Sequence, residues 1–233
     1  MRNVLRSWIV VLAVAVSAPA PAAEANYIQP SRLDLTKLLP PPPAPTSEQH
    51  ARDLTEVLAV QNSRTTVQVE GALADATSGT FGFRDVLGQN FTAERLPTVA
   101  GLFEKVRRDA NNAFTAGKGA WDRKRPFDAS PEVQPLGERP ASSSYPSGGS
   151  TQAYLTAILL ANMVPEKSVD LFARGRQFGA SRVILGVHFP SDVEAGRIAA
   201  TAIATALMQD EIFMRDFMAA RTELRKGLGL ASQ

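Results

Sequence analysis

The chain of 233 residues contains no cysteine, two histidines, two tryptophans and three tyrosines. Without cysteine there can be no disulfide, no thiolate nucleophile and no cysteine-ligated zinc. Two histidines are too few for a histidine-rich metal centre, so neither a metal nor another cofactor is expected. Charge of one sign is lacking as well. Lys and Arg number 25 against 23 Asp and Glu, and a chain so balanced has no electrostatic case for binding nucleic acid. Alternation of apolar and polar residues is almost absent, which argues against a sheet-based architecture. Past the N-terminal segment no apolar run is long enough to cross a bilayer, Val183 to Val187 and Ala199 to Met208 both being too short. Membrane insertion is therefore not expected.

What is present begins with an N-terminal leader. Residues 1–22 carry Arg2 and Arg6, an apolar run from Trp8 to Val16 and small residues at Ala20-Pro21-Ala22. This pattern predicts a secretory signal peptide cleaved after Ala22, with Ala25 as the second choice. Its loss leaves the mature chain close to neutral and periplasmic or secreted. Residues 23–45 form a proline-rich strap, where Pro40 to Pro43 remove four backbone donors and hold the chain extended rather than helical. Such an arm is long enough to cross to a second subunit in a homo-oligomer.

Residues 46–233 are predicted to be one all-α domain, a helical bundle, the 44% hydrophobic content being sufficient for a core. Apolar residues at helical spacing mark helices from Thr46 or Ser47 past Val60, from Thr65 or Thr66 to about Ala76, and through Val99, Leu102, Phe103, Val106 and Ala110. Four more follow after Ser150, the second with Pro165 in its first turn. The segment from Gly79 to Pro97 reads as a loop with short turns, and 117–146 as one long loop. His50 has Glu48, Gln49, Arg52 and Asp53 close by, which places it on a polar, solvated face.

Three separated segments hold a matching set of groups. KGAWDRKRP supplies Lys118 and Arg125, YPSGGST supplies Ser147 and Gly148 ahead of a helix, and SRVILGVHFPSD supplies Arg182, His188 and Asp192. A phosphoryl group in transfer spreads negative charge over its equatorial oxygens and calls for several fixed donors. Lys118 offers a point charge, Arg125 and Arg182 planar forks, Ser147 a hydroxyl, and the PSGG turn free amides at a helix N-terminus. His188 would attack phosphorus through one ring nitrogen while Asp192 holds the proton of the other. Pro190 separates the two, so they should not share one continuous helix, and Ser191 is expected to cap the helix that Asp192 opens. Taken singly, each segment also reads as a solvated basic loop, a common turn or a buried polar pair. Their joint occurrence in this order is what points to chemistry.

The set resembles the phosphatase superfamily that includes bacterial class A acid phosphatases, type 2 phosphatidic acid phosphatases and vanadium haloperoxidases, with its signature K-x6-RP, PSGH and SR-x5-H-x3-D. The chain is most similar to the class A acid phosphatases. This resemblance implies hydrolysis of small phosphomonoesters through a phosphohistidine at His188, with Asp192 beside it and phosphate held by Lys118, Arg125, Ser147, Gly148 and Arg182. One position departs: where the family has the histidine read as general acid, this chain has Gly149. The resemblance therefore implies reduced or narrowed activity, the alternative being a phosphate-binding pseudoenzyme.

Overall fold

The bundle is built around a helix that is apolar nearly all the way round. The computed structural model of the chain describes residues 27–28 and 33–231, the side chains of Ala116 and Gly117 excepted. The expected signal peptide lies outside the described residues, as does much of the strap. The elements are α1 (Leu35–Leu38), α2 (Glu48–Ser63), α3 (Thr66–Ser78), α4 (Arg84–Leu87), α5 (Pro97–Trp121), α6 (Pro126–Ala129), α7 (Gly148–Met163), α8 (Ser168–Ile184), α9 (Pro190–Met208) and α10 (Glu211–Gly227). Short 3-10 turns at Gly79–Phe83 and Pro165–Lys167 precede α4 and α8. No strand occurs among the described residues, in keeping with the predicted all-α class.

A helix without a polar face must be surrounded. In α7, Ala153, Leu155, Ala157, Leu159, Leu160 and Met163 are all buried, and α8 and α9 flank it while α5 and α10 close the remaining sides. Small residues set the spacing. A Cβ on Gly175 of α8 would lie 2.9 Å from the Ala157 side chain, and one on Gly196 of α9 would lie 2.8 Å from the Ser147 carbonyl oxygen. Only glycine lets α9 close on the start of α7, so Gly196 brings the two helix N-termini together.

Capping fixes where the flanking helices begin. Ser47 Oγ accepts from the His50 amide at 3.2 Å, Thr65 and Gln68 cap each other's amides reciprocally, and Asp210 accepts from Phe213 at 2.8 Å. In α5 the predicted stripe of Val99, Leu102, Phe103, Val106 and Ala110 is buried.

Several expectations need correction. Helix α5 does not stop before residue 117 but runs to Trp121, ending where Asp122 takes a left-handed φ of 40°. The edge of Trp121 on Tyr145, 5.1 Å between centroids, anchors that extra turn against the loop ahead of α7. In the Gly79 to Pro97 stretch the expected short turns are a 3-10 turn, Gly79–Phe83, and the single helical turn of α4, with no helix from Gly88 to Leu96. The strap contains one helical turn, α1, capped by Asp34. Its described part lies along its own chain: Leu35 and Leu39 pack with Tyr145, Ala195 and Ala199, and Tyr145 donates to the Pro40 carbonyl at 2.6 Å.

Candidate active site

The α7 N-terminus, the end of α5, the α6 start and the α8–α9 loop converge, and each carries one of the groups singled out in the sequence. Lys118 sits in the last turn of α5 and its ammonium donates to the Ser143 carbonyl. Arg125, buried at the N-cap of α6, donates through Nε to the Ser142 carbonyl at 2.8 Å and through a terminal nitrogen to the Val187 carbonyl at 2.8 Å. The same nitrogen lies 3.2 Å from His188 Nε2.

That contact settles the tautomer. A guanidinium can only donate, so Nε2 carries the lone pair and the ring proton belongs to Nδ1. His188 Nδ1 faces Ser144 Oγ at 3.3 Å and Asp192 Oδ2 at 3.6 Å. The ring is therefore held neutral, with its free lone pair turned toward cations. Burial lowers the His188 pKa to about 4; Asp192 opposes the shift, and Arg125 and Lys118 add to it. Burial likewise lowers Lys118 to about 8, helped by Arg125.

Asp192 is fully buried and every oxygen is engaged. Oδ2 accepts from Ser144 Oγ at 2.5 Å and the Phe189 amide at 2.8 Å, and Oδ1 from Arg123 at 2.5 Å. Burial alone would raise its pKa, but the adjacent His188 ring and the Arg123 guanidinium outweigh that and hold it below the usual range. Asp192 is the third residue of α9 and accepts the Phe189 amide itself, so Phe189, not Ser191, occupies the N-cap position. His188 lies just outside the helix, as Pro190 implied.

Ser147 caps α7, its Oγ accepting from the Ser150 amide at 3.3 Å, and its own amide donates to the Asp192 carbonyl at 3.0 Å. Gly148 and Gly149 open α7, so their amides are free to point at an anion. A Cβ on Gly148 would meet the Phe114 ring at 2.9 Å, and a Cβ on Gly149 would meet Arg182 Cδ at the same distance. Arg182, near the end of α8, makes no side-chain hydrogen bond among the described residues. Its pKa is lowered by burial, with Asp75 opposing, and its charge is felt at Arg125. The structure thus assembles all eight predicted positions. Among the described residues, no three His, Asp or Glu side chains are grouped so as to hold a metal.

Three residues, Arg123, Asp53 and Ser144, were not read from the sequence. Arg123 bridges Asp192, Ser191 Oγ at 2.7 Å and Asp53 Oδ2 at 2.9 Å, its guanidinium carbon 4.4 Å from the Phe189 ring centroid. Ser144 joins His188 to Asp192. Arg123 stood inside the KGAWDRKRP stretch, but a basic run does not say which cation turns inward. His50 is another correction: it is not on a solvated face but packs edge-on against Phe189 at 5.1 Å, with Nδ1 buried and unpartnered. It lines a cavity with Trp121, Arg123 and Lys124, apart from Gly149, so it does not stand in for the histidine missing there.

The PAP2 superfamily matches residues 109–213. An acid phosphatase of Zymomonas mobilis is 31% identical over 223 residues, covering 92% of this chain and 84% of that protein. The chain belongs to the acid phosphatases of the PAP2 superfamily. A non-specific acid phosphatase of Providencia stuartii is 30% identical over 86% of this acid phosphatase and 85% of the relative. The fold is also similar to that of a transmembrane PAP2-type phosphatidylglycerolphosphate phosphatase from Bacillus subtilis, with a TM-score of 0.51 and 21% identity over 69% of this chain and 84% of that one. Among the described residues of this acid phosphatase, no helix is long and apolar enough to cross a membrane.

The two shifted pKa values set a pH profile. A nucleophilic His188 would have to be neutral, and kcat/KM would then fall about tenfold per unit as the pH drops below about 4. A phosphate-holding Lys118 would have to be charged, and kcat/KM would then fall again above about 8, through a rise in KM. A profile on an aryl phosphate, corrected for the substrate's own ionisation near pH 6, checks both limbs. Because the folded-state pKa of His188 lies below its ordinary 6.5, the fold also loses stability as pH falls from about 6.5 toward 4.

Proposed function

We propose that this phosphatase is an exported acid phosphatase that cleaves small phosphomonoesters by way of a phosphohistidine at His188. The observation that carries this reading is the orientation of the ring, with Nδ1–H against Ser144 and Asp192 and the Nε2 lone pair facing Arg125. An incoming phosphate would take the place of Nε2 as partner of Arg125. Its oxygens would be held by Lys118, Arg125, Arg182, Ser147 and the α7 amides of Gly148 and Gly149.

The reaction then has two halves. Nε2 attacks phosphorus and the ester oxygen departs with its electron pair, while the Asp192 carboxylate, held in place by Arg123, stabilises the positive charge that forms on the ring. Water next attacks the phosphorus, the P–N bond breaks and His188 is regenerated. The charge on the three cations is present throughout, so the transition state is met by fixed donors rather than by reorganised water. The predicted signal peptide in residues 1–22 supports a periplasmic or secreted enzyme.

Gly149 narrows the activity. With no side chain there, no acid protonates the departing oxygen, and general acid catalysis is worth about 10² to 10⁴ in rate. Aryl phosphates, whose leaving group is stable as an anion, should therefore react faster than alkyl phosphates of similar size by about 10² to 10⁴. Rates on p-nitrophenyl phosphate and glycerol phosphate measure this. Equal kcat/KM for the two would show that another group supplies the proton.

A further inference from the structure

We propose that the cavity beside Gly149 is the leaving-group subsite and receives a second phosphate, so that phosphoanhydrides are the preferred substrates. The inference rests on the phosphatase reading above and extends it to the group that leaves. The cavity, about 200 Å³, is bordered by Gly149 and Arg182 on the cradle side and continues past Gln152, Thr156, Asp75 and Arg107. His188 does not line it. In-line displacement puts the leaving group on the side of phosphorus away from the nucleophile, and this cavity adjoins the cradle through Gly149 and Arg182 alone.

Its walls hold no ready proton donor. The Asp75 carboxylate is taken up by Arg174, at 2.6 and 3.2 Å, and by the Ser181 hydroxyl at 2.6 Å. The other polar walls are an amide, two hydroxyls and guanidinium groups, none of them an acid at working pH. A leaving group must therefore depart carrying its charge.

What the walls do hold is cations. Arg182 spreads over Gly149, its Cδ 2.9 Å and its terminal nitrogen 3.2 Å from the point a Cβ would occupy. That guanidinium has no hydrogen-bond partner among the described residues. Among the described residues Arg107 is held only by Glu104, through Nε at 3.0 Å and one terminal nitrogen at 2.7 Å, in an exposed pair of the kind that contributes little. Its other terminal nitrogen is uncommitted. Two guanidiniums facing a cavity without an acid fit a leaving group that is itself a phosphate, stable as an anion near neutral pH and recognised by planar forks.

The step balances without a proton donor. His188 Nε2 bonds to the terminal phosphorus, the bond from that phosphorus to the bridging oxygen breaks, and the oxygen leaves with the electron pair on the shortened phosphate. Water then cleaves the P–N bond, releasing phosphate and a proton to solvent. The shared chemistry is the anhydride, whether in an inorganic condensed phosphate or in a nucleoside diphosphate.

The test compares kcat/KM for tripolyphosphate, a nucleoside diphosphate and p-nitrophenyl phosphate in the full chain, Arg107→Gln and Glu104→Gln. At least one anhydride should exceed the aryl ester in the wild type, and the better of the two identifies the source of the ligand. The ratio of anhydride to aryl ester should fall at least tenfold in Arg107→Gln. It should rise in Glu104→Gln, which frees Arg107, a gain that mere structural damage would not give. If the aryl ester is cleaved while both anhydrides are slower, or the ratio is unmoved in both variants, the subsite is refuted and the phosphatase reading stands. If none of the three substrates turns over, both fall together.

Discussion

His188→Ala should abolish turnover of an aryl phosphate, by about 10⁴- to 10⁶-fold in kcat, while inhibition by inorganic phosphate persists. The separation follows from the arrangement of groups. Lys118, Arg125, Arg182 and the α7 amides hold the anion, and none of them is the ring that bonds to phosphorus. Removing the imidazole removes the only neutral nitrogen lone pair facing the cradle among the described side chains. Loss of phosphate affinity together with activity would instead indicate that His188 holds the cradle in shape. Circular dichroism on the same sample separates that outcome from unfolding, since the side chain is buried.

Arg123→Met should cost about 3–5 kcal/mol of stability, because it strands two buried carboxylates. Asp53 and Asp192 are 2% and 0% exposed, and one guanidinium serves both. Gln49 still donates to Asp53 at 3.0 Å, and Ser144 and the Phe189 amide still donate to Asp192, but no positive charge replaces the one removed. For a chain of this size the melting temperature should fall by about 6–20 °C. Activity should fall as well, because Asp192 would no longer be pinned from the side opposite His188. Arg123→Lys keeps the charge without the fork and should lie between the two. Adding Asp53→Asn to Arg123→Met should recover part of the stability, since one of the stranded charges is then gone. A melting temperature unchanged within about 2 °C would mean the network contributes no stability.

The part of the site legible in the sequence is the part whose chemistry depends on residue type and spacing. Lys118, Arg125, Ser147, Gly148, Arg182, His188 and Asp192 could be named because each belongs to a short run with a chemical purpose, and α7 could be placed because Ser147 precedes an apolar stretch closed by Pro165. The supports were not legible. Arg123 and Lys124 are neighbours of the same charge, and only the left-handed turn at Asp122 decides that Arg123 points into the protein. Asp53 is surrounded in sequence by the polar residues of an ordinary exposed helix face, and its pairing across to Arg123 is a tertiary fact.

His50 was misplaced for the same reason. Its neighbours are polar, but Phe189 from the α8–α9 loop covers it. The length of α5 was underestimated because Gly117 and Gly119 weaken local helix propensity, and the contact of Trp121 with Tyr145 overrides it. Gly149 was recognised as a departure, yet that Arg182 leans over the vacated space depends on α8 packing against α7.

Whether His188 accepts the phosphoryl group is read by mixing enzyme with an aryl phosphate, quenching in alkali within one turnover and mapping the bound phosphate. One phosphate per active chain should be found, stable in alkali and lost in acid as expected of a P–N bond, on the peptide containing His188 and absent from His188→Ala. Steady turnover with no phosphoenzyme at any time, or phosphate on a different residue, would contradict it.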